Sequence, residues 1–311
     1  MIGQLTLGID GVMKDKVDVA IERIKAFCPE EGYFVAFSGG KDSQCIYHLC
    51  RMAGVKFDAH YAVTSVDPPE LIKFIKMHYP DVIFDIPHDE NGKRVSMWSL
   101  IPERLMPPTR LVRYCCQELK EVYGGGRVTV TGVRWAESSN RKMSHGVVTI
   151  AKKSKKVAKR LTSMGTDFSI GKSGGVILNY DDAIDRRTTE FCMRTGRMLV
   201  NPIIDWDEDD VWDFLNSYGI EHCSLYDEGF KRLGCIGCPM SNLQQHEFER
   251  WPKYKEMYRR AFAKMLEERE KRNLVTSYKT ADDVMTWWLR KDKGKNKKES
   301  EEDWLGKEVG D

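Results

Sequence analysis

The feature that most constrains this sequence is a short apolar segment, residues 33–37, that ends in a glycine pair and leads into a helix-like pattern at residues 42–52. The apolar segment is rich in aromatic and β-branched side chains, as buried strands are, and the second pattern has helical spacing. A glycine pair at such a junction lets the backbone turn tightly, so successive N–H groups and the positive end of the helix converge on an anion. The unit therefore predicts an anion-binding loop in an α/β fold.

The loop reads Ser38-Gly39-Gly40-Lys41-Asp42-Ser43. Lys41 adds a positive charge, and the two serines add hydroxyl donors, so the loop carries the groups that bind phosphate. Asp42 would be repelled by a polyphosphate unless it coordinates Mg²⁺ or caps the helix, and both roles are open for it. The spacing differs from that of a Walker A loop, whose lysine follows a longer glycine loop.

Strand-like and helix-like patterns alternate along the chain, which predicts an α/β fold with a doubly wound parallel sheet and a helical C-terminal region. Strands are predicted over residues 33–37, 57–63, 82–86 and 128–133. Helices are predicted over residues 15–27, 42–52, 69–78, 207–218, 244–271 and 281–289. We expect a nucleotide-binding and cluster domain over residues 1–240, a helical region over 241–290, and a charged, disordered tail over 291–311.

A basic insertion at about residues 151–175 interrupts the α/β pattern, with Asp167 as its acidic residue. Its cationic side chains would allow phosphate contacts to a nucleic acid, or they would form a solvated charged loop. The residues concerned are Lys152, Lys153, Lys155, Lys156, Lys159 and Arg160.

The composition fits a soluble protein with one substantial core. The chain is 41% hydrophobic, and its net charge of +2 does not by itself indicate a nucleic acid or an anionic membrane as partner. Its N-terminus lacks the unbroken apolar stretch of a signal peptide, and we find no apolar run of membrane-spanning length. We therefore expect a cytoplasmic protein that does not contact membranes.

The chain has nine cysteines, and this odd number argues against a complete disulfide framework and directs attention to metal ligation. Cys115-Cys116 and the Cys235-x-x-Cys238 motif form a quartet that suits zinc or an iron–sulfur cluster. Adjacent cysteines are expected to point in different directions, which is awkward for one small ion and favours a [4Fe-4S] cluster; zinc or unligated thiols are the alternatives. The other cysteines are interpreted as structural: Cys28, Cys45, Cys50, Cys192 and Cys223.

Arg134 and Arg141 follow the strand predicted at 128–133, at positions where a guanidinium can clamp a phosphate or sulfate oxygen at two points. A surface salt bridge is the alternative role for each arginine. Together with Lys41 and Asp42, they are the candidate catalytic residues.

The Ser-Gly-Gly-Lys-Asp-Ser loop resembles the signature of the PP-loop ATP pyrophosphatases, which cleave ATP between its α and β phosphates. This resemblance implies ATP and Mg²⁺ as ligands, and it implies that Ser38, Gly39, Gly40, Lys41, Asp42 and Ser43 contact phosphate or order the loop. Thr64 begins the segment after the second predicted strand, where adenine or ribose contacts occur in doubly wound folds. A helix start with proline in its first turn is the alternative interpretation of that segment.

Over roughly residues 30 to 240, apart from the basic insertion, the sequence resembles the phosphoadenosine and adenosine phosphosulfate reductase family. The similar blocks are Arg113–Lys120, Thr131–Arg134 with Glu137 and Arg141, Asn201–Trp212, and Leu225–Cys238. The resemblance implies a [4Fe-4S] cluster on Cys115, Cys116, Cys235 and Cys238. It also implies that Lys120 lies between the cluster and the nucleotide.

Two features depart from those reductases, which attack sulfur with a cysteine in a C-terminal segment and do not use a triphosphate. This sequence has no cysteine after Cys238, so direct reduction would need another nucleophile, such as Cys192 or a cysteine of a partner. Its complete loop suits a triphosphate. In both features the sequence resembles the iron–sulfur ATP pyrophosphatase component of DNA phosphorothioation systems.

We therefore favour an ATP pyrophosphatase that adenylates an acceptor for sulfur transfer, with a cysteine desulfurase or another sulfur donor as partner. The acceptor remains open between DNA, tRNA and a small molecule. The alternatives are a sulfonucleotide reductase that produces sulfite and a non-catalytic subunit that binds nucleotide and cluster.

Overall fold

The computed structural model describes residues 5–7, 13–151, 162, 168–171, 175–178 and 197–290. Cys192, the cationic residues from Lys152 to Arg160 and the predicted tail lie outside the described residues. The chain groups into two compact units. The first comprises the described parts of Met1–Tyr61, Glu70–Asp85 and Tyr123–Leu233, and the second those of Ala62–Pro69, Ile86–Val122 and Gly234–Asp311.

All strands of the described residues belong to the first unit, except that Ala62, the last residue of one strand, is assigned to the second unit. They are β1 (Leu5–Leu7), β2 (Met13–Asp15), β3 (Tyr33–Ala36), β4 (Phe57–Ala62), β5 (Ile83–Asp85), β6 (Thr129–Val130), β7 (Val148–Ala151), β8 (Ser169–Ile170), β9 (Val176–Leu178) and β10 (Arg197–Val200). Strands β1 and β2 form an antiparallel pair, and the remaining strands form one sheet in the order β5-β4-β3-β6-β10-β7-β9-β8.

The helices of the described residues are α1 (Lys16–Ala26), α2 (Lys41–Ala53), α3 (Pro69–His78), α4 (Met97–Arg104), α5 (Tyr114–Leu119), α6 (Ser139–Lys142), α7 (Glu208–Ser217), α8 (Gln244–Arg250), α9 (Pro252–Lys271) and α10 (Ala281–Leu289). A short 3₁₀ turn covers Trp135–Glu137. None of these helices combines the length and the apolar character that crossing a membrane requires.

The core of the sheet is parallel, as the strand–helix alternation predicts. Strand β3 pairs in parallel with β4 and β6, and β6 pairs in parallel with β10. Strand β7 pairs antiparallel with β10 and with β9, and β8 continues the antiparallel part. The prediction of an α/β fold with a parallel sheet is confirmed, whereas the antiparallel extension was not expected because its short strands flank and enter the basic insertion.

Helix α2 follows the loop because its apolar positions recur at helical spacing against the sheet. Cys45, Ile46, Leu49 and Cys50 are all buried, and burying such side chains contributes about 1.5 to 3 kcal/mol for each large apolar group. The helix ends at Gly54, whose φ of 67° is the left-handed conformation that glycine adopts at little cost. The strand before the loop is equally buried, so both flanks of the loop are fixed by packing.

The second unit is built mainly from helices. Helix α9 packs against α4 and α10, and a cluster of aromatic rings that includes Tyr258, Phe262 and Trp288 fills the interior. The indole N–H of Trp288 donates to the carbonyl of Pro108 at 2.7 Å. Tryptophan in a core needs such a partner for its N–H, so this bond fixes the segment before α5 against α10.

The long helix predicted over residues 244–271 is wrong as a single element. The structure has two helices, α8 and α9, that meet at Trp251 and Pro252. Proline has no N–H for a helix interior but is favoured in the first turn, so Pro252 ends the first helix and starts the second. The predicted domain boundary at residue 240 stays a prediction.

The segment after β6 approaches the first turn of α2 so closely that only glycine fits at residue 132. A Cβ atom added at Gly132 would lie 2.9 Å from the backbone carbon and oxygen of Asp42. Real Cβ atoms do not approach backbone this closely, so a larger residue would push the segment away from α2. This approach brings the side chains that follow Gly132 to the loop.

We expect Gly132→Ala to lower the free energy of unfolding by about 1 to 3 kcal/mol, because the added methyl group overpacks a backbone contact. Urea denaturation of the full chain measures this change. Gly125→Ala is the matched control, since an added Cβ there meets nothing within 4 Å, and we expect a change within about 0.5 kcal/mol. Equal stability of the two variants would contradict the close approach.

Candidate functional site

The loop between β3 and α2 has the compact turn that its glycines predict. Gly39 has φ of 73°, and a Cβ added there would lie 2.7 Å from the side chains of Leu71 and Ile75. Gly40 caps α2 without a side-chain hydrogen bond, and the Ser43 hydroxyl donates to the Gly40 carbonyl at 2.8 Å. The N-cap residue Gly40 therefore supplies no side-chain acceptor to the first turn of α2, whose positive end favours an anion.

The serines of the loop face each other. The hydroxyl of Ser38 donates to that of Ser43 at 3.2 Å and accepts from the backbone N–H of Gly40 at 3.4 Å. The predicted phosphate-binding hydroxyls are thus brought together on one side of the turn.

Lys41 is buried, and its ammonium group is held by several acceptors. Its Nζ lies 3.0 Å from the carbonyl oxygen of Lys231, 3.2 Å from Oε1 of Glu208 and 3.8 Å from Oδ2 of Asp42. The same Nζ lies 5.5 Å from the centre of the Tyr226 ring, and the Tyr226 hydroxyl accepts the backbone N–H of Lys41 at 2.9 Å. Tyr226 therefore fixes both the backbone and the side chain of Lys41.

Arg134 reaches the same place from the other side. Its guanidinium donates to Oδ1 of Asp42 at 2.6 Å through Nε, and to Oε2 of Glu208 at 2.9 Å through Nη2. Burial alone would lower the pKa of Arg134, but Asp42 and Glu208 raise it above its ordinary value. The arginine is therefore a permanent cation with two carboxylate partners.

Glu208 belongs to the first turn of α7 and bridges the two cations with its two oxygens. Burial would raise the pKa of Glu208, but Lys41 and Arg134 together hold it below its ordinary value. The carboxylate is thus ionised at neutral pH.

An open cavity of about 580 Å³ lies over these charges. Its wall includes Lys41, Arg134, Glu208 and Trp212, and its rim includes Arg232. None of the described residues that line the cavity is a cysteine: they are Lys41, Arg134, Ala136, Glu137, Glu208, Trp212, Tyr226, Gly229, Phe230, Lys231 and Arg232.

Arg141 does not join the Lys41 and Arg134 cluster directly. Its Nη1 lies 2.5 Å from Oε2 of Glu137, whose other oxygen lies 3.3 Å from Nη2 of Arg232. Glu137 lines the cavity, so Arg141 is connected to it through this carboxylate.

Sequence reasoning missed three residues of this site: Glu208, Tyr226 and Gly132. Each lies in a block that was recognised by resemblance, but none carries a local signal for phosphate chemistry. The sequence offered one signal for the close approach of Gly132: it is a glycine at the end of a strand, directly before Val133 and Arg134. Nothing local in the sequence would have paired Glu208 with Lys41.

The quartet of cysteines lies in the second unit. The interaction between the neighbouring thiols of Cys115 and Cys116 raises the pKa of Cys115 well above its ordinary value and lowers the pKa of Cys116 to about 6. Charges on Cys235 and Cys238 also raise the pKa of Cys115, so these thiols lie within electrostatic reach of one another. The expectation that the adjacent cysteines point in different directions stays a prediction.

Lys120 and Thr64 lie beside this quartet. Electrostatic attraction to Cys235 raises the pKa of Lys120 above its ordinary value, and Asp67 acts in the same direction. The Cys235 thiol donates to the Thr64 hydroxyl at 3.5 Å, and that hydroxyl donates to Asp67 at 2.7 Å. The segment that begins at Thr64 is thus tied to the cysteine loop through its side chains.

Within the described residues, no three His, Cys, Asp or Glu side chains are arranged to hold a single metal ion. The cysteines of the first unit that the structure describes are buried or half-buried: Cys28, Cys45, Cys50 and Cys223. Burial raises the pKa of all four thiols, as expected for packing residues.

The family of the chain follows from comparison with known proteins. Residues 32–241 match the phosphoadenosine phosphosulfate reductase domain, which covers the loop, the cavity and the cysteine quartet. The chain belongs to this family. Members of the family act on adenine nucleotides, so a nucleotide-binding role for the chain is supported.

Two curated relatives match only parts of their length. Adenosine 5'-phosphosulfate reductase of Staphylococcus haemolyticus is 29% identical over 82 residues, which are 25% of this chain and 34% of that protein. An uncharacterised protein of Methanocaldococcus jannaschii is 24% identical over 264 residues, which are 79% of this chain and 50% of that protein. The chain thus spans between about a third and half of the length of these relatives.

Among solved structures, the chain is similar to the phosphoadenylyl-sulfate reductase of Candida auris in its phosphate complex. The identity is 13% and the TM-score 0.39, over 75% of this chain and 98% of that chain. A structural similarity with this TM-score supports no conclusion about function.

Proposed function

We propose that the chain is an ATP pyrophosphatase that adenylates an acceptor for sulfur transfer and that carries a [4Fe-4S] cluster. One observation carries the nucleotide part of this proposal: the two buried cations Lys41 and Arg134 meet at the N-terminus of α2 under an open cavity. Buried cations and a helix N-terminus together favour a polyphosphate over a neutral ligand.

In the proposed reaction an oxygen of the acceptor attacks the α-phosphorus of ATP. A new oxygen–phosphorus bond forms, the bond from the α-phosphorus to the bridging oxygen breaks, and pyrophosphate leaves with the electron pair. The attacking atom is a phosphate or carbonyl oxygen, which carries no proton, so no proton has to be removed in this step. Lys41 and the loop N–H groups stabilise the charge that develops on pyrophosphate, and Arg134 is placed to hold the α-phosphate.

Mg²⁺ would reduce the charge of the leaving pyrophosphate. Asp42 fits this ion in donor chemistry, because its carboxylate lies at the loop and already has cationic partners in the structure. Arg134 would then exchange Asp42 for a phosphate oxygen.

The reductase alternative requires a thiolate that attacks sulfur. None of the described residues that line the cavity is a cysteine, and the described cysteines of the first unit are packed residues with raised pKa values. These observations favour ATP cleavage over sulfite formation for this chain.

The cysteine quartet fits an iron–sulfur cluster in its donor chemistry. Its thiols influence each other's pKa, and the ammonium group of Lys120 offsets their negative charge. Cys115, Cys116, Cys235 and Cys238 would hold the cluster through their thiolates, and the cluster would supply a redox-active centre.

The acceptor in this proposal is a nucleic acid that the basic insertion contacts through its phosphates. The sulfur would come from a cysteine desulfurase or another donor. A non-catalytic subunit is the alternative, and it would bind ATP without releasing pyrophosphate.

Replacing Lys41 tests the phosphate site. We expect Lys41→Ala to weaken ATP binding by about 1.5 to 3 kcal/mol, or about 10- to 150-fold, because a charge-assisted contact is lost. Isothermal titration calorimetry measures the affinity. Lys73→Ala removes an exposed lysine of α3 in the same unit and should leave the affinity unchanged. Equal affinity of the wild type and Lys41→Ala would count against a phosphate site.

The reaction is tested with purified protein, ATP and Mg²⁺, with DNA or tRNA as the added acceptor. We expect AMP and pyrophosphate in equal amounts, no sulfite, and turnover that falls steeply as salt rises, because salt weakens phosphate contacts. Sulfite formed from adenosine or phosphoadenosine phosphosulfate with thioredoxin would support the reductase instead, and its loss in Cys192→Ser would identify Cys192 as the attacking thiolate.

The cluster is tested by metal analysis of anaerobically purified protein. We expect iron and sulfide in about a 1:1 ratio with broad visible absorption. Each of the variants Cys115→Ser, Cys116→Ser, Cys235→Ser and Cys238→Ser should contain less iron than the wild type. Cys28→Ser is the control and should retain the iron, since Cys28 packs in the first unit. Stoichiometric zinc without iron would contradict the assignment.

A further inference from the structure

We propose that Glu208 is a built-in competitor for phosphate: its carboxylate neutralises Lys41 and Arg134 in the ligand-free protein and is displaced when a polyphosphate binds. The inference rests on the proposed nucleotide site and adds a residue to it that controls affinity. It predicts that the site binds anions more tightly without this carboxylate.

The position of the carboxylate is the first argument. Oε1 of Glu208 lies 3.2 Å from Nζ of Lys41, and Oε2 lies 2.9 Å from Nη2 of Arg134. One anionic group thus uses both oxygens to bridge two cations, as two oxygens of a phosphate do. A phosphate that binds both cations must therefore take the place of this carboxylate.

The cations need such a partner when no ligand is bound. The side chains of Lys41 and Arg134 are only 2% and 3% exposed. Removing a partner from a buried cation leaves a charge without compensation, which destabilises the protein. Glu208 supplies this compensation in the ligand-free state and becomes redundant once phosphate does so.

Glu208 can leave without a comparable penalty, because 53% of its side chain is exposed. Asp42, the other carboxylate partner of Arg134, is 24% exposed and belongs to the loop itself. The displaced carboxylate of Glu208 would move into water rather than into the protein interior.

The helix that carries Glu208 is held independently of it. The side chain of Asp207 accepts the N–H of Asp210 at 2.9 Å, and that of Asp210 accepts the N–H of Asp207 at 2.7 Å. Asp210 is also paired with Lys16 at 2.5 Å. The side chain of Glu208 can therefore rotate while α7 keeps its N-terminus in place.

The experiment measures binding of inorganic pyrophosphate to the full chain by calorimetry, in EDTA so that no divalent cation contributes. We expect Glu208→Gln to bind about tenfold more tightly than the wild type, which corresponds to about 1.4 kcal/mol. Asp209→Asn is the matched control, since it removes the same charge from the neighbouring exposed position of α7, and its affinity should stay within about twofold of the wild type.

Thermal unfolding gives a second readout. Without ligand, Glu208→Gln should melt at a lower temperature than the wild type, and saturating pyrophosphate should raise its melting temperature by more than it raises that of the wild type. Glu208→Asp retains the charge on a side chain too short to bridge both cations. It should bind pyrophosphate with an affinity between those of the wild type and Glu208→Gln. If Glu208→Gln does not fold, tighter binding by Glu208→Asp than by the wild type tests the inference.

Unchanged or weaker pyrophosphate binding in Glu208→Gln, with normal binding by the wild type, would overturn the inference and make Glu208 a structural partner or a ligand contact. A tenfold gain that Asp209→Asn reproduces would also overturn it, because the effect would then be one of overall charge. Failure of the proposed nucleotide site is distinguishable, since the wild type and Lys41→Ala would then bind pyrophosphate equally poorly.

Discussion

Two buried cations, Lys41 and Arg134, meet at the start of α2, and most features of the first unit serve to bring them together and to neutralise them. Lys41 comes from the loop after β3, whereas Arg134 comes from the segment after β6, the next strand of the sheet. The two segments can approach only because residue 132 is glycine, with no Cβ to strike the backbone of Asp42. The parallel order of β3 and β6 thus places the carboxyl ends of both strands at one edge, where ligands bind in such sheets.

The local part of this arrangement could be predicted from the sequence, and the long-range part could not. The loop, its strand and its helix are contiguous, so glycine chemistry and helical periodicity are sufficient to predict them. Glu208 and Tyr226 come from segments far along the chain, and their contacts with Lys41 depend on tertiary packing. Arg134 was selected because a guanidinium suits phosphate, but its pairing with Asp42 required the structure.

The same distinction explains the errors in the secondary structure. The parallel strands have flanking helices that make their periodicity recognisable. Strands β7, β8 and β9 are short, and they border a basic insertion whose composition hides any alternation of apolar and polar residues. The break at Pro252 had a local signal, since proline is disfavoured inside helices. The helical pattern of charged residues continues on both sides of this proline, however, and it suggested one helix.

Membership in the phosphoadenosine phosphosulfate reductase family restricts the fold and the class of ligand, but it leaves the reaction to particular residues. A reductase of the thiolate type needs a nucleophilic sulfur at the reacting atom, whereas an ATP pyrophosphatase needs cations where charge develops on the leaving group. The described lining of the cavity contains cations and carboxylates and no thiol. In the proposed function a polyphosphate displaces Glu208 from these cations, because its charged oxygens can bridge Lys41 and Arg134 as the carboxylate does. The proposed ligand thus makes use of both the Ser-Gly-Gly-Lys-Asp-Ser loop and the paired cations.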